Sequence, residues 1–231
     1  MELIWHGAVQ AIRLIVEGDP AVMRIMWLSL KVSGGATLLS LVLGIPLGAA
    51  LSLTRFPGRG LVLSVVNTGM ALPPVVVGLI ASIFLWRSGP LGFLELLYTP
   101  AAIVIAQFII AFPIVTGLTV AALQQLDPRL RLQLVALGAS RLQVVAQLLW
   151  EARLSMLAAV MAAFGSVISE IGASMMVGGN ILGYTRVLTT ATVLEAAKGN
   201  FDVAIALSVI LLGLTFLINW ALTALQQGGV R

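Results

Sequence analysis

The sequence predicts an all-α polytopic membrane protein with five transmembrane helices, an N-terminal interfacial helix and the N-terminus outside. Of its 231 residues, 60% are hydrophobic and 10% are charged, whereas soluble domains carry about 25% charged residues. A membrane span needs about 20 mainly apolar residues. Five stretches are long enough, the fourth interrupted only by Glu170: residues 32–54, 60–86, 96–126, 154–185 and 203–230. These spans leave no room for a soluble catalytic domain.

Composition also limits the chemistry that the chain can perform. The chain has no cysteine, which excludes disulfides, thiolate metal sites and cysteine nucleophiles. Its start has an acid at Glu2 and no clean apolar core before Arg13, so we expect no cleavable signal peptide. The net charge of +4 is spread over loops without a basic and aromatic surface. That pattern is typical of membrane orientation and indicates no nucleic-acid partner.

The N-terminal segment, residues 1–23, is predicted to be an amphipathic extracytoplasmic helix. Its polar side chains recur at three-and-four spacing and share one helical stripe: Glu2, His6, Gln10, Arg13 and Glu17. The rest of the helix surface is apolar, as in helices that lie in the membrane interface. Gly18-Asp19-Pro20 ends this helix and starts the next. His6 is interpreted as a polar-face residue rather than a ligand or base.

The first two spans are joined by a cytoplasmic turn. The first span begins between Met23 and Lys31 and ends at Arg55, and the turn over residues 54–60 contains arginines but no acid. Short loops rich in Lys and Arg lie on the cytoplasmic side. In the second span, Pro73 and Pro74 interrupt the helical hydrogen bonds near mid-membrane. Such a break is either a packing kink or a kink beside the substrate path.

The third span, about residues 100–123, leads into a long polar segment at residues 126–153. This segment has two acids and four arginines, which predict a cytoplasmic location: Asp127, Glu151, Arg129, Arg131, Arg141 and Arg153. Asp127-Pro128 is a helix-start pair, and Gly138-Ala139-Ser140 interrupts the apolar periodicity. We expect a short helix, a tight turn and a second helix. The simpler alternative is an ordinary interfacial helical loop.

The fourth span contains small residues at three-and-four spacing and one acid. The small stripe suits close packing or a pore wall and comprises Gly165, Ser166, Ser169, Gly172, Ala173 and Met176. Glu170 lies amid the span, where an ionisable residue is a functional hypothesis. Because like charges repel, we expect it to support a gate rather than contact an anion.

A polar stretch follows at residues 178–190 and is predicted to be an outer loop. Arg186 offers a planar fork of donors that suits a tetrahedral oxyanion, although a polar loop with one interfacial arginine is an equal interpretation. The predicted translocation path or gate comprises Ser166, Ser169, Glu170, Ser174, Asn180, Thr185, Arg186, Thr189 and Thr190.

The last span, residues 203–225, is followed by a short tail at residues 226–231. Loops joining the spans carry more positive charge on the side that contains residues 54–60 and 126–153. This bias predicts that the C-terminus and the tail are cytoplasmic.

Residues 24–225 resemble the type I ABC importer permeases. Leu137-Gly138-Ala139-Ser140-Arg141 is similar to that family's coupling loop, which inserts into a groove of a separate ATPase subunit, although Leu132 stands where the family usually has Glu. The resemblance implies the type I ABC importer transmembrane fold. It also implies an ATPase-coupling site formed by Leu134, Leu137, Gly138, Ala139, Ser140 and Arg141.

The segment over residues 169–190 resembles the oxyanion branch of this family, and most of all the tungstate permeases. Ser169 and Ile171 stand where molybdate permeases tend to have Gly and Phe. The resemblance implies a homodimer in a bacterial or archaeal cell (inner) membrane, surrounded by lipid. It also implies two cytoplasmic ATPase subunits and an extracytoplasmic protein that binds tungstate or another oxyanion.

No Gly-x-x-x-x-Gly-Lys-Ser/Thr loop occurs in the sequence, so the chain is not expected to be an enzyme. We expect no cofactor on this chain and ATP-Mg on the ATPase subunit. Molybdate or sulfate remain alternative substrates. An alternative of another class is an ion-coupled secondary carrier that uses Glu170. An intramembrane enzyme fits less well, because the spans contain no paired catalytic set.

Overall fold

The computed structural model describes residues 2–228, and for residues 2–4 the backbone only. The described chain is α-helical, with a short 3₁₀ turn at Gly92–Leu94. Its helices are α1 (Glu2–Val16), α2 (Pro20–Leu53), α3 (Arg59–Met70), α4 (Pro74–Leu85), α5 (Pro100–Gln124), α6 (Pro128–Ala136), α7 (Arg141–Glu151), α8 (Arg153–Ile168), α9 (Gly172–Gly178), α10 (Leu188–Ala197) and α11 (Phe201–Gly228).

The number of possible spans agrees with the sequence prediction. Helices α2, α5 and α11 are each long and apolar enough to cross a membrane. Two further pairs qualify when taken together, namely α3 with α4, bent by 102°, and α7 with α8, bent by 69°. Counting each bent pair as one span gives five, and the predicted all-α architecture with five spans is confirmed. In the second pair only α8 lies in the predicted fourth span, because α7 belongs to the predicted cytoplasmic segment at residues 126–153.

Helix α5 lies at the centre of the fold and contacts α2, α3, α4, α8 and α9. Its residues Ile103, Ala106, Ala111 and Val115 are fully buried. Helix α2 crosses α5 closely because it has glycine at the crossing. A Cβ placed on Gly48 would lie 2.7 Å from Thr119 Cβ and 2.8 Å from the Thr116 carbonyl oxygen. Small residues permit this approach between membrane helices.

We expect Gly48→Ala to destabilise the protein by roughly 1–3 kcal/mol, because the added methyl group must push α2 away from α5. The matched control is Gly34→Ala, on the same helix, where a Cβ would meet nothing within 4 Å. That control should be neutral or stabilising by up to about 1 kcal/mol through helix propensity. Thermal unfolding in detergent measures both changes. Equal unfolding temperatures for the two variants would contradict the close crossing.

The predicted N-terminal helix is confirmed as α1, which packs against α11. A Cβ on Gly7 would overlap the side chain of Ile205, so the two helices touch closely there. Apolar side chains of α1 remain exposed, including Trp5 and Ile12. The Asp19 carboxylate then accepts hydrogen bonds from the backbone N–H groups of residues 21 and 22, both at 2.9 Å, and caps α2. Helix α2 therefore starts at Pro20, before the Met23 to Lys31 interval in which the first span is predicted to begin.

The fourth predicted span is not one helix. Helix α8 ends at Ile168 and α9 begins at Gly172, so the predicted small-residue stripe is divided between two helices. With 16 residues, α8 is about 24 Å long at 1.5 Å per residue. That length is less than the hydrocarbon thickness of about 30 Å.

Two boundaries near the end of the chain also differ from the prediction. Helix α10 occupies part of the predicted outer loop, so Thr189 and Thr190 lie in its first turn. Helix α11 continues to Gly228, which makes residues 226–228 of the predicted tail helical. The Gln226 amide donates a hydrogen bond of 3.0 Å to the Leu154 carbonyl oxygen. The rest of the predicted tail, residues 229–231, lies outside the described residues.

Candidate gate and coupling elements

Two interrupted spans meet beside each other in the fold. The double proline separates α3 from α4, as predicted: α3 ends at Met70, Pro73 precedes α4 and Pro74 begins it. Helix α4 then packs on α9 with almost no side chain between their backbones. A Cβ on Gly78 would lie 2.6 Å from Ala173 Cα. The helices that follow the two breaks, α4 after Pro73 and α9 after residues 169–171, are therefore tightly packed against each other.

Glu170 lies in the second break and caps α9. Its Oε1 accepts a hydrogen bond of 2.6 Å from the Ala173 backbone N–H. Its Oε2 accepts bonds of 2.9 Å and 2.8 Å from the backbone N–H and the hydroxyl of Ser174. The side chain is buried. Since the first N–H groups of a helix lack partners within it and the helix dipole favours a negative charge there, the carboxylate satisfies both needs of α9.

Gln107 and Thr189 extend this hydrogen-bonded network to neighbouring helices. The Gln107 amide nitrogen donates to the Val167 carbonyl oxygen at 3.0 Å and to the Ser174 hydroxyl at 3.4 Å. The Thr189 hydroxyl donates to the Glu170 carbonyl oxygen at 2.9 Å. Helices α5, α8, α9 and α10 are thus joined at one buried polar cluster. Sequence reasoning assigns Gln107 no role, although a lone amide within an apolar span signals such a contact.

Two threonine hydroxyls of the predicted outer loop form hydrogen bonds with backbone groups of the same loop. Thr185 donates to the Gly178 carbonyl oxygen at 2.5 Å and accepts from the Ile181 N–H at 2.9 Å. The hydroxyl of Thr190 accepts from the Val187 N–H at 3.1 Å and so closes the first turn of α10. Thr185 and Thr190 are each 1% exposed. In this structure both hydroxyls stabilise the backbone conformation of the loop that precedes α10.

Two predicted path residues, Ser166 on α8 and Ser169 directly after it, are more accessible. Ser169 is exposed, and its hydroxyl donates to the Gly165 carbonyl oxygen at 2.7 Å. Ser166 is partly exposed. The structure therefore gathers Glu170, Ser174 and Thr189 into the buried cluster and leaves these two serines outside it.

Arg186 is held in a fixed orientation by Asn180. The guanidinium donates from Nε to Asn180 Oδ1 at 3.2 Å and from Nη2 to the Asn180 carbonyl oxygen at 3.3 Å. Asn180 itself has a positive φ of 51°, a conformation that asparagine adopts more readily than most residues. Its side-chain amide also donates to the Thr190 carbonyl oxygen at 3.4 Å. Both residues are half-buried.

The predicted cytoplasmic helix, turn and helix are present as α6 and α7. Asp127 caps α6, with its carboxylate accepting from the Arg129 N–H at 2.8 Å. Ser140 and Gln143 form a reciprocal capping box at the start of α7. Gly138 has a φ of +81°, a left-handed conformation that suits glycine. These local signals favour the turn at this position in the sequence.

One side of this turn packs inward and the other is open. Leu134 and Ala139 contact the core formed with Val144 and Leu148. In contrast, the side chain of Leu137 is 85% exposed and that of Leu142 81% exposed. Ser140 and Arg141 are exposed beside them. The tip of the loop therefore presents apolar side chains with a positive charge, a surface suited to a partner protein.

Two arginines connect the cytoplasmic side of the fold to the end of α2. Arg131 on α6 donates from Nη1 to the Leu53 carbonyl oxygen at 3.3 Å. Arg59 donates from Nε to the Leu51 carbonyl oxygen at 2.6 Å. The last carbonyl groups of a helix lack partners and favour positive charge. Arg131 therefore links α6 to the C-terminal end of α2 by one exposed hydrogen bond.

Comparison with protein families agrees with these elements. Residues 40–228 match the family described as the binding-protein-dependent transport system inner membrane component. The chain is 40% identical to the tungstate uptake system permease protein TupB of Peptoclostridium acidaminophilum, over 98% of this chain and 100% of that protein. It is 32% identical to the molybdenum transport system permease protein ModB of Escherichia coli K12, over 77% of this chain and 82% of that one.

A solved structure shares the fold. A chain of the MetNI methionine ABC transporter in an inward-facing conformation superposes with a TM-score of 0.76. The superposition covers 92% of this chain and 99% of that chain at 21% sequence identity. This likeness confirms the type I ABC importer transmembrane fold that the sequence predicts.

Proposed function

Since the chain belongs to the family of binding-protein-dependent transport system inner membrane components, we propose that it is the permease subunit of an ATP-driven importer of tungstate. The extent of similarity to known permeases supports tungstate as the transported anion. The likeness to a tungstate permease extends over 98% of the chain at 40% identity, whereas the likeness to a molybdate permease is lower and shorter. Molybdate and sulfate are the alternatives, because all three anions share shape and charge.

The ATPase is a separate subunit in this proposal. No phosphate-binding loop with its lysine occurs in the sequence, so ATP-Mg binds to the partner and this chain binds no cofactor. The exposed Leu137 and Leu142, with Arg141 between the two, form the surface that inserts into the ATPase subunit. Leu134 and Ala139 hold that surface against the body of the permease.

The proposed complex contains two permease chains, two cytoplasmic ATPase subunits and an extracytoplasmic protein that delivers the anion. Closure of the ATPase subunits moves α6 and α7, and Arg131 passes the movement to α2 through the Leu53 carbonyl oxygen. The paired chains rock around a path between them, as in other alternating-access transporters. The gate comprises α4 and α9 with the Glu170 network. Arg186, Ser166 on α8 and Ser169 in the break that follows α8 face the anion.

The structure gives one observation that weighs against the ion-coupled carrier. Such a carrier requires Glu170 to bind and release a proton or cation during transport. Both carboxylate oxygens of Glu170 instead accept short hydrogen bonds from α9. Releasing those donors would leave the first turn of α9 without partners in a buried site.

Uptake into proteoliposomes tests the proposal directly. The permease is reconstituted with its ATPase and its binding protein, and tungstate, molybdate and sulfate are compared with and without ATP on the ATPase side. We expect uptake to require ATP and the binding protein and to favour tungstate. ATP-dependent uptake that favours molybdate or sulfate would correct the substrate. Uptake that follows an ion gradient without ATP would overturn the importer.

A further inference from the structure

The positive side chains near the predicted outer ends of the spans are not all neutralised in the same way. Arg13 pairs with Glu17 at 2.7 Å and Lys198 pairs with Glu195 at 2.8 Å. Arg24, Lys31 and Arg186 form no salt bridge among the described residues and line one cavity of about 190 Å³. A hydrogen bond from Asn200 lowers the pKa of the Glu195 carboxyl, outside the cavity, and the Arg186 charge contributes to this lowering at longer range. The other lining residues of this cavity are apolar, aromatic or glycine: Ile25, Trp27, Leu28, Gly183 and Tyr184. Three positive charges therefore meet in one concave site whose lining contains no acid among the described residues.

The walls of this cavity are fixed to each other. One wall is the first part of α2, where Arg24, Trp27 and Lys31 follow each other at three-and-four spacing on one helical face. The other wall is the turn before α10. The Ser29 hydroxyl of α2 accepts a hydrogen bond of 2.8 Å from the Leu188 N–H, which locks the two walls together. A Cβ on Gly183 would lie only 3.6 Å from Arg24 Nη1, so the arginine reaches the turn.

The orientation of the charges is also constrained. Asn180 holds two of the donors on the Arg186 guanidinium, and the remaining donors of that group are free to reach a ligand. Lys31 lies over the Trp27 ring, 5.9 Å from its centroid, a cation–π position. Side chains that are already positioned lose less conformational entropy when a ligand binds.

We propose that Arg24, Lys31 and Arg186 form a binding site for a tetrahedral oxyanion, distinct from the Glu170 network. Guanidinium and ammonium donors match phosphate-like oxygens. A water molecule takes about 30 Å³ of liquid volume, so the cavity holds such an anion with a few waters. Exposed Trp27 and Tyr184 are the residues that accumulate at membrane interfaces. The anion is therefore either the phosphate of a lipid headgroup or a free oxyanion from outside.

The test uses the double variant Arg24→Gln/Lys31→Gln of the full chain, purified in complex with its ATPase. The control is Arg13→Gln, which removes a cation that already has an acidic partner and lies outside this cavity. In one arm, native mass spectrometry compares the retention of phosphatidylglycerol and phosphatidylcholine. In the other, isothermal titration calorimetry of the delipidated complex measures the binding of tungstate and sulfate, with chloride as a blank.

We expect the double variant to lose at least about tenfold in affinity in one arm, a change that corresponds to about 1.4 kcal/mol, while the control keeps wild-type values. Loss of phosphatidylglycerol retention identifies a lipid phosphate as the ligand. Loss of tungstate or sulfate binding identifies a free oxyanion. Wild-type binding in both arms of the double variant, or no anion binding by the wild type, would overturn the site. Neither arm measures ATP-driven uptake, so the site can fail while the proposed import function stands.

Discussion

Gly138→Leu is expected to uncouple uptake from ATP hydrolysis while leaving the permease chain folded. Gly138 has a φ of +81° and open space around its Cα, so a side chain fits but the backbone is strained by roughly 1–3 kcal/mol. The strain is relieved by changing the angle between α6 and α7, which displaces the exposed Leu137 and Leu142. We expect uptake to fall at least about tenfold, and the ATPase subunit to dissociate more readily from the complex.

The matched control for this change is Gly199→Leu. Gly199 has nearly the same backbone conformation, with a φ of +82°, and also has nothing within 4 Å, but it lies after α10, far along the chain from α6 and α7. Co-purification of the ATPase and the ratio of anion imported to ATP hydrolysed are measured for both variants. Coupled uptake by Gly138→Leu at the wild-type ratio would show that this turn does not transmit the ATPase motion.

Glu170→Ala should produce the largest loss of stability among the single changes considered. The change removes an acceptor of three hydrogen bonds and leaves two buried backbone N–H groups of α9 without partners. We expect a cost of roughly 2–4 kcal/mol and a lower thermal unfolding temperature in detergent. Glu170→Gln should be intermediate, since one amide oxygen still accepts while the amide nitrogen opposes the Ser174 donors.

Ser169→Ala is the control for Glu170, because it changes the adjacent residue in the same break. The Ser169 hydroxyl bonds only to carbonyl groups of the preceding turn, and its removal should change stability by no more than about 0.5 kcal/mol. Uptake by the residual folded Glu170→Gln protein should still require ATP. A Glu170→Ala protein as stable as the wild type would show that the carboxylate does not hold α9.

The parts of the fold that could be predicted from the sequence are those with local signals. The cytoplasmic loop was predictable in detail, because its caps and its turn lie within a few residues of the helices that they delimit. Asp127 and Pro128 start α6, and Gly138 and Ser140 form the turn before α7. The double proline at Pro73 and Pro74 marks its break for the same reason. Composition alone was sufficient for the number of spans, because that number depends only on length and hydrophobicity, but not for the course of the fourth span, which is divided between α8 and α9.

The missed features depend on contacts between distant segments. The start of α10 at Leu188 is capped by Ser29, 159 residues away in the chain, so the turn-forming residues before it predict a continuing loop. The break at residues 169–171 contains no proline, and Glu170 stabilises it through backbone groups that follow it. Neither Gln107 nor the close contact between Gly78 and Ala173 can be recognised before α4, α5 and α9 are placed together.

The close contact between α4 and α9 has a consequence for how the gate can move. The close backbone approach at Gly78 and Ala173 hinders large sliding of α4 past α9, so we expect the two helices to move together. We expect their rotation to be absorbed at residues 71–73 and 169–171, where the chain is not part of a regular helix. The two breaks would then act as paired hinges for α4 and α9. Any substitution that turns either break into continuous helix should hold the gate in one conformation.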